Sequence, residues 1–466
     1  MSINSAYNIA NTGLKSTGKW AELVSNNIAN ADSDSYGRRT LSKTTTAMGT
    51  AVANGVNRAV DQSLTRMYHS ELARMTRQDA IADGVSAYAT SLGDVDDPSS
   101  PAALLTNFQS DLDLLYNDPS DASVQQAAVQ SAGAIATELN TLSRDLDTSL
   151  KEVRNSLLAS VDEVNKLLSD VALLNQRLEN TLPNSQQRAA LEDQMGDKLN
   201  QLAEFIDFRT ETNGNGSVDV MTTDGYRLVE DDASFDLSYN VGSGVLTAGT
   251  VDITPPNGIA EGRLAGQIEL VNDIMPQMQL QLDEFARALI QTFEAADASL
   301  AAGDTGLFTD EGLAYDPARI TGLASRIEIN DAVLPEQGGE ISRIRDGMNA
   351  VTPGPSGSAI QIGAFLDGLD ATQTFDGATS LPTNVSLSDY ASALIADQQN
   401  TRATAEKEQE GLAASASSLN SARLNAQGVN IDTELQDLLM IEQAYAANSK
   451  VISTLNEMID SLLAAV

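Results

Sequence analysis

Along residues 2–30, apolar or small side chains fall at Ile3, Tyr7, Ala10, Leu14, Thr17, Ala21, Val24 and Ile28. The steps alternate four and three, which draws one narrow seam along a helix. Its flanks are Ser, Asn, Thr and Ala rather than charges, and Asp32-Ser33-Asp34-Ser35 predicts where it stops. The opposite end of the chain mirrors this pattern. Leu438, Ile441, Tyr445, Asn448, Ile452, Leu455, Ile459 and Leu462 step three and four without a slip, with Asp432 and Glu434 at the start, where a helix dipole favours acids. One Asn on such a seam sets register at some cost in stability. Each end is too thinly striped to form a core alone.

The middle reads differently. Ile135, Leu139, Leu142, Leu146, Leu150, Val153, Leu157, Val161, Val164, Leu168 and Val171 recur at the period of a straight helix and predict one long helix over 121–180. Further helices are expected over 61–92, 101–117, 185–206, 261–298 (with a kink at Pro276) and 387–427. Residues 208–256 switch to a period of two: Phe235, Leu237, Tyr239 and Val241 alternate, and Asn213-Gly214, Asn215-Gly216 and Asp224-Gly225 mark tight turns. Residues 326–385, rich in Gly, Pro, Thr and Asp, read as a small β insertion. The expected architecture is mainly α with β-rich insertions, in three parts. Residues 1–35 with 428–466 form a coiled-coil-like inner domain of paired terminal helices. Residues 36–325 with 386–427 form a long-helix bundle carrying β-hairpins at 208–256, and 326–385 form the distal β-rich insertion.

Composition narrows the function. The chain has 466 residues, 28 Lys plus Arg against 65 Asp plus Glu, and a formal net charge of -37, a surface that repels nucleic acid and anionic lipid. No run approaches a spanning helix, so no membrane insertion is expected. Residues 1–31 carry only Lys15, Lys19 and Glu22 as charges and lack the layout of a cleaved signal peptide. With no Cys and one His, a thiolate or imidazole metal site is not expected. His69 lies within a predicted helix and reads as an ordinary surface residue. Asp94-Val95-Asp96-Asp97 lacks the calcium-loop pattern and reads as a turn before Pro98. Asn213-Gly214-Asn215-Gly216 opens no helix and precedes no Lys, so it reads as a hairpin turn rather than a phosphate loop. No catalytic residue, cofactor or metal is assigned.

Two segments carry more than composition. Ser25-Asn26-Asn27-Ile28-Ala29-Asn30 is followed by Tyr36-Gly37-Arg38; near the other end stand Gly428-Val429-Asn430-Ile431-Asp432 and Gln443-Ala444-Tyr445-Ala446-Ala447-Asn448-Ser449-Lys450-Val451-Ile452. This pair resembles the signature of the bacterial flagellar axial proteins of the rod and hook class. Rod and hook proteins turn β-rich soon after the first helix, whereas here a helical stretch over 61–206 intervenes. The combination is similar to the hook-associated protein 1 family of hook–filament junction proteins. Asp224-Gly225-Tyr226-Arg227-Leu228-Val229 and Gly262-Arg263-Leu264-Ala265-Gly266 also resemble segments of that family, while Leu191–Lys198 departs from its pattern and 300–385 resembles it weakly.

The resemblance implies a structural, extracellular flagellar subunit, exported without a cleaved signal peptide and assembled through its terminal helices into a homo-oligomeric ring. It implies hook protein on one side, the third hook-associated protein and filament on the other, and a cytoplasmic export chaperone at the C-terminal helix. The polymerisation seams would be Ile3, Tyr7, Ala10, Leu14, Val24 and Ile28, and Leu438 through Leu462 as spaced above. The terminal helices are expected to gain order on assembly. A rod or hook subunit of the same class, and an acidic surface binding module, are the competing readings.

Overall fold

The computed structural model describes residues 3–33, 35–45 and 51–464; Asp34 of the predicted turn, and the extreme ends of the inner domain, lie outside them. Helix α1 (Ile3–Ala29) is followed by a hairpin of β1 (Arg39–Thr45) and β2 (Ala51–Arg58), antiparallel with a register shift at Ser42/Lys43. Helices α2 (Gln62–Leu92), α3 (Pro101–Asn117), α4 (Ala122–Glu179) and α5 (Gln186–Phe205) then build the body. Each starts where the sequence supplies a cap. Asp61, Ser100, Asp121 and Ser185 accept hydrogen bonds from first-turn amides, and Pro101 sits where its missing N–H costs nothing.

Helix α4, of 58 residues, is the axis of the body, about 87 Å long at 1.5 Å per residue. All the apolar positions of its predicted stripe are buried except Leu150, which is half-buried against the same core. Antiparallel sheets lie beside its C-terminal half. One has the order β3 (Arg209–Thr212), β4 (Val218–Met221), β5 (Arg227–Glu230), β6 (Ala233–Ser234); the other joins β7 (Leu237–Asn240), β8 (Val245–Ala248) and β9 (Val251–Asp252). Asn175 ties α4 to the first, its Oδ1 accepting from Val218 N–H at 2.8 Å and its Nδ2 donating to Val218 O at 2.9 Å. Asn165 does the same with Leu237 of the second. The turn Asn213–Gly216 joins β3 to β4, as its glycines predict; Gly216 has φ +92°, open to glycine and strained for other residues.

Helix α6 (Arg263–Glu269) runs through a wide π-turn at Leu270–Ile274 into α7 (Met275–Ala296). The expected kink at Pro276 is thus a π-turn just before it. Pro276 has no N–H to give the preceding turn, and the widened turn lets Met275 N–H reach Leu270 O.

The segment over 326–385 corrects the expectation of a β-rich insertion. A three-residue β11 (Ile327–Ile329) pairs with β10 (Phe308–Asp310), and two-residue strands β12 (Gln373–Thr374) and β13 (Asn384–Val385) pair with each other. The rest is short 3-10 turns, α8 (Arg343–Asp346) and α9 (Ile360–Asp370). Nor does it stand apart. Phe365 of α9 lies 4.9 Å from Phe293 of α7, which meets Phe108 and Phe308, so the aromatic residues draw the segment into the body's core.

Helix α10 (Leu387–Gln427) packs along α2, and Gln399 Nε2 donates to Ala89 O and Gly93 O at 2.8 Å. It ends at Gly428, and α11 (Ile431–Ala464) returns to lie along α1. Among the described residues, no helix is long and apolar enough to cross a membrane.

Candidate assembly site

Helices α1 and α11 pair antiparallel. Asn27 meets Glu434 near the body, and Gly13 meets Asn448 farther out, the two contacts being equally spaced on each helix. A Cβ on Gly13 would stand 2.8 Å from Asn448 Oδ1, so glycine at 13 is what lets the amide lie against the helix. Asn448 Nδ2 donates to Ala444 O at 2.9 Å.

The structure divides the predicted seams. Ala10, Thr17, Leu23, Val24 and Asn27 are buried in α1, with Ile3, Leu14 and Ile28 half-buried; Tyr7 is exposed. On α11, Ile441 and Leu455 are buried, and Asn448, Ile452 and Ile459 are half-buried. Leu438, Tyr445 and Leu462 are exposed in the single copy, although their spacing places them on the same stripe. The α1 contact covers a strip about one residue wide, and these three project beyond its edges. They are not isolated. Ile431, Leu435, Leu439, Met440, Val451, Met458 and Leu463 of α11 are also exposed, so bare apolar surface runs along both sides of the buried strip. Solvated proteins rarely leave so much contiguous apolar surface without a partner.

Between this helix pair and the body lies a buried polar junction. Asn27, 1% exposed, uses all four of its hydrogen-bonding positions. Its Nδ2 donates to Arg39 O at 2.9 Å and to Glu434 Oε2 at 3.0 Å; its Oδ1 accepts from Tyr36 Oη at 2.8 Å and from Arg39 N–H at 3.1 Å. Neither Asp, which donates nothing, nor an apolar residue can replace it. Burial, aided by Asp193 and Glu434 and opposed by Arg39, pushes the Tyr36 phenol up to about 12, which keeps it a neutral donor.

Three arginines and three carboxylates complete the junction. Arg38 Nε contacts Glu434 at 2.6 Å and its Nη2 contacts Asp437 at 3.4 Å, while Arg39 and Arg58 each reach Asp193 of α5 at 2.5 Å. Gly37 N–H donates to Asp193 Oδ1 at 3.1 Å, and a Cβ on Gly37 would stand 2.7 Å from Arg58 Cγ. Arg38 N–H donates to Gln427 O at 2.8 Å, tying the turn before α11 to the same knot. Charges so buried are tolerable only as mutual partners. Of the predicted motif, Asn27, Tyr36 and Gly37 therefore converge. Asn26 and Asn30 close the end of α1 through Asn30 Nδ2 to Asn26 O at 2.8 Å, Ile28 is half-buried, and Ser25 and Ala29 are exposed. The sequence reading missed Asp193, Arg39, Arg58 and the burial of Glu434. The one available signal was that Asp193 falls in the segment Leu191–Lys198.

His69 needs a correction as well. It is buried, with Nε2 2.8 Å from Asn200 Oδ1 and its ring 5.5 Å from Phe208. Burial, reinforced by Arg423, lowers its pKa to about 4 despite the bond to Asn200, so it is a neutral core residue rather than a surface one. Among the described residues, no group of three or more His, Cys, Asp or Glu is placed to hold a metal ion.

Two family models match this chain: the flagellar hook-associated protein FlgK helical domain over residues 91–306, and the flagellar basal body rod FlgEFG protein C-terminal over 420–465. The first spans α3 through α7, and the second covers the end of α10 and all of α11. The chain is 23% identical to flagellar hook-associated protein 1 of Bacillus subtilis, over 94% of each sequence. It is 22% identical to flagellar hook-associated protein 1 of Escherichia coli, over 99% of this chain and 100% of the relative. Among solved structures, the flagellar hook junction protein FlgK from Burkholderia pseudomallei aligns with a TM-score of 0.45 at 19% identity, over 52% of this chain and 46% of that one.

Proposed function

The chain belongs to the flagellar hook-associated protein 1 family, and from that premise we propose that it assembles through α1 and α11 into a ring joining hook to filament. It is a structural flagellar component at the hook–filament junction. The observation that carries the assembly mode is the bare apolar surface of α11. Ten large apolar side chains stand exposed on a helix of 34 residues. Burying such side chains against neighbouring copies is worth about 1.5–3 kcal/mol each. The polar junction at Asn27 and Asp193 then sets how this helix pair leaves the body, so that every copy in a ring presents the same angle.

On this reading the seam residues Ile3, Ala10, Leu14, Val24, Ile441, Ile452 and Leu455 hold the pair together, while Leu438, Tyr445 and Leu462 face neighbouring copies. Hook protein lies on one side and the third hook-associated protein with the filament on the other. Before export, the same apolar surface would need a cytoplasmic chaperone, and export proceeds with the N-terminus intact. The chain is a scaffold and not an enzyme. Electron microscopy of cells lacking it tests the proposal: bare hooks, with filament protein lost to the medium, are expected. Normal filaments on those hooks would sink it.

A further inference from the structure

The four-stranded sheet has two edges of opposite character. On the β3 side, Thr210, Thr212 and Val218 help to wall a cleft of about 700 Å³ closed by α2, α5 and the end of α10. Its walls carry Arg58, Arg66, Arg188 and Arg423 against one carboxylate, Glu192. In a chain with only 28 cationic residues and a net charge of -37, four arginines around one cleft gather a good share of its scarce positive charge. Some of that charge is engaged inside the molecule. Arg58 meets Asp193 at 2.5 Å, Arg188 meets Glu192 at 3.2 Å and Asn215 O at 2.9 Å, and the buried Arg423 donates to Asn420 Oδ1 at 2.7 Å and Asn200 Oδ1 at 3.4 Å. Arg66 is exposed, bonds to Gln62 O through Nε, and forms no ion pair among the described residues.

The other edge carries the opposite charge. The tight turn from β5 to β6 presents Glu230, Asp231 and Asp232 consecutively, all exposed. Arg227 engages Glu230 at 2.8 Å, and Asp231 accepts from Ser217 Oγ at 3.3 Å. Asp232 forms no ion pair among the described residues. Both edges stand at the same end of α4. Asn175 donates to Asp231 O at 2.6 Å, and Leu178, one turn on, lines the cleft.

The acidic turn touches the rim of the cleft through Ser217 but does not enter it, so cleft and turn are left to match each other on two copies. We propose that the β5–β6 turn of one copy docks into the arginine-walled cleft of the next, a head-to-tail contact outside the terminal helices. Such a heterologous contact propagates in one direction and closes when the rotation permits, which is the geometry a ring needs. Opposed charges at its rim set register and partner choice. This rests on the assembly reading above.

The chain has no Cys of its own, so thiols can be placed at will. Arg66→Cys and Asp232→Cys chains are co-expressed in cells lacking the native chain, and purified hook–filament particles are treated with a short bismaleimide. A cross-linked dimer from the mixture, and none from either variant alone, is the expected result. No dimer, with both variants present in the particles, overturns the contact. Dimers from one variant alone overturn its head-to-tail sense, and a product with another flagellar protein overturns the choice of occupant. Absence of both variants from the particles, with the unsubstituted chain absent too, overturns the assembly reading itself. As a second measure, Arg66→Glu and Asp232→Arg should each reduce the fraction of hooks bearing filaments. Combining them should restore it; failure to restore counts against the pairing.

Discussion

The body and the terminal helix pair are both helical, yet they bury their apolar residues to opposite degrees. In α4, Leu139, Leu142, Leu157, Val164, Leu168 and Val171 are fully enclosed by other elements of the same chain. In α11, only Ile441 and Leu455 among the large apolar residues are buried, and most of the others are exposed. The body has enclosed the apolar stripe of its central helix within one copy. The terminal pair has buried one narrow strip and leaves the rest exposed. The fold of the body is therefore complete within one chain, whereas the ends keep apolar surface still to be buried.

The largest expected break in that contrast is Leu455→Asp. Placing an unpaired carboxylate in the one buried strip of α11 opens the α1–α11 pair and should abolish filament attachment in every cell. Melting of the body, followed by circular dichroism, should not move. A fall of several degrees would show that the ends and the body melt as one unit. Leu139→Ala is the converse, expected to cost the body about 2–5 kcal/mol in denaturant titrations.

Asp193→Ala examines the joint between the two regions. It leaves Arg39 and Arg58 facing each other without their shared anion, and removal of one member of a buried ionic group costs about 3–5 kcal/mol. Loss of protection in amide exchange is expected at the 36–60 hairpin and the start of α11, with the core of α4 unchanged. If protection at the hairpin stays native, the junction does not hold the ends to the body.

The pH response distinguishes the regions again, because His69 lies in the body. Its folded pKa of about 4 lies below the unfolded value near 6.5, so between these the unfolded chain binds more protons. Its contribution is fully present above pH 6.5 and is lost as pH falls towards 4, amounting to about 3 kcal/mol. Asp207 and Glu261, raised by burial, act in the opposite sense. The test is thus a difference: His69→Gln should lose less stability than the native chain between pH 7 and pH 5. Equal losses would contradict the burial argument. Lys450→Glu is the smallest effect expected. The residue is exposed and off the buried strip, so changes within about 0.5 kcal/mol and normal filaments are predicted.

Much of this architecture was readable without coordinates. The stripe from Ile135 to Val171 and the glycines of the 208–256 turns are local signals, and helices and hairpins obey local rules. The β1–β2 hairpin was not readable. Its strands, Arg39–Thr45 and Ala51–Arg58, are mostly polar and show no alternation to betray them. The seams were legible as stripes, but not which half of each stripe would be covered. Spacing places Leu438 and Tyr445 beside Ile441, and only the position of α1 decides that Ile441 is buried and they are bare. Asn27 stood out as part of a motif, but its partners Glu434, Arg39 and Tyr36, with Asp193 close behind them, are gathered from both ends and the middle of the chain. The sequence by itself determined periodicity and turns, because each depends on neighbours within a few residues, and the charge balance, which is a sum over the chain. The tertiary structure alone decided which charges are buried together and which apolar residues stay exposed, because those depend on distances in space between segments hundreds of residues apart.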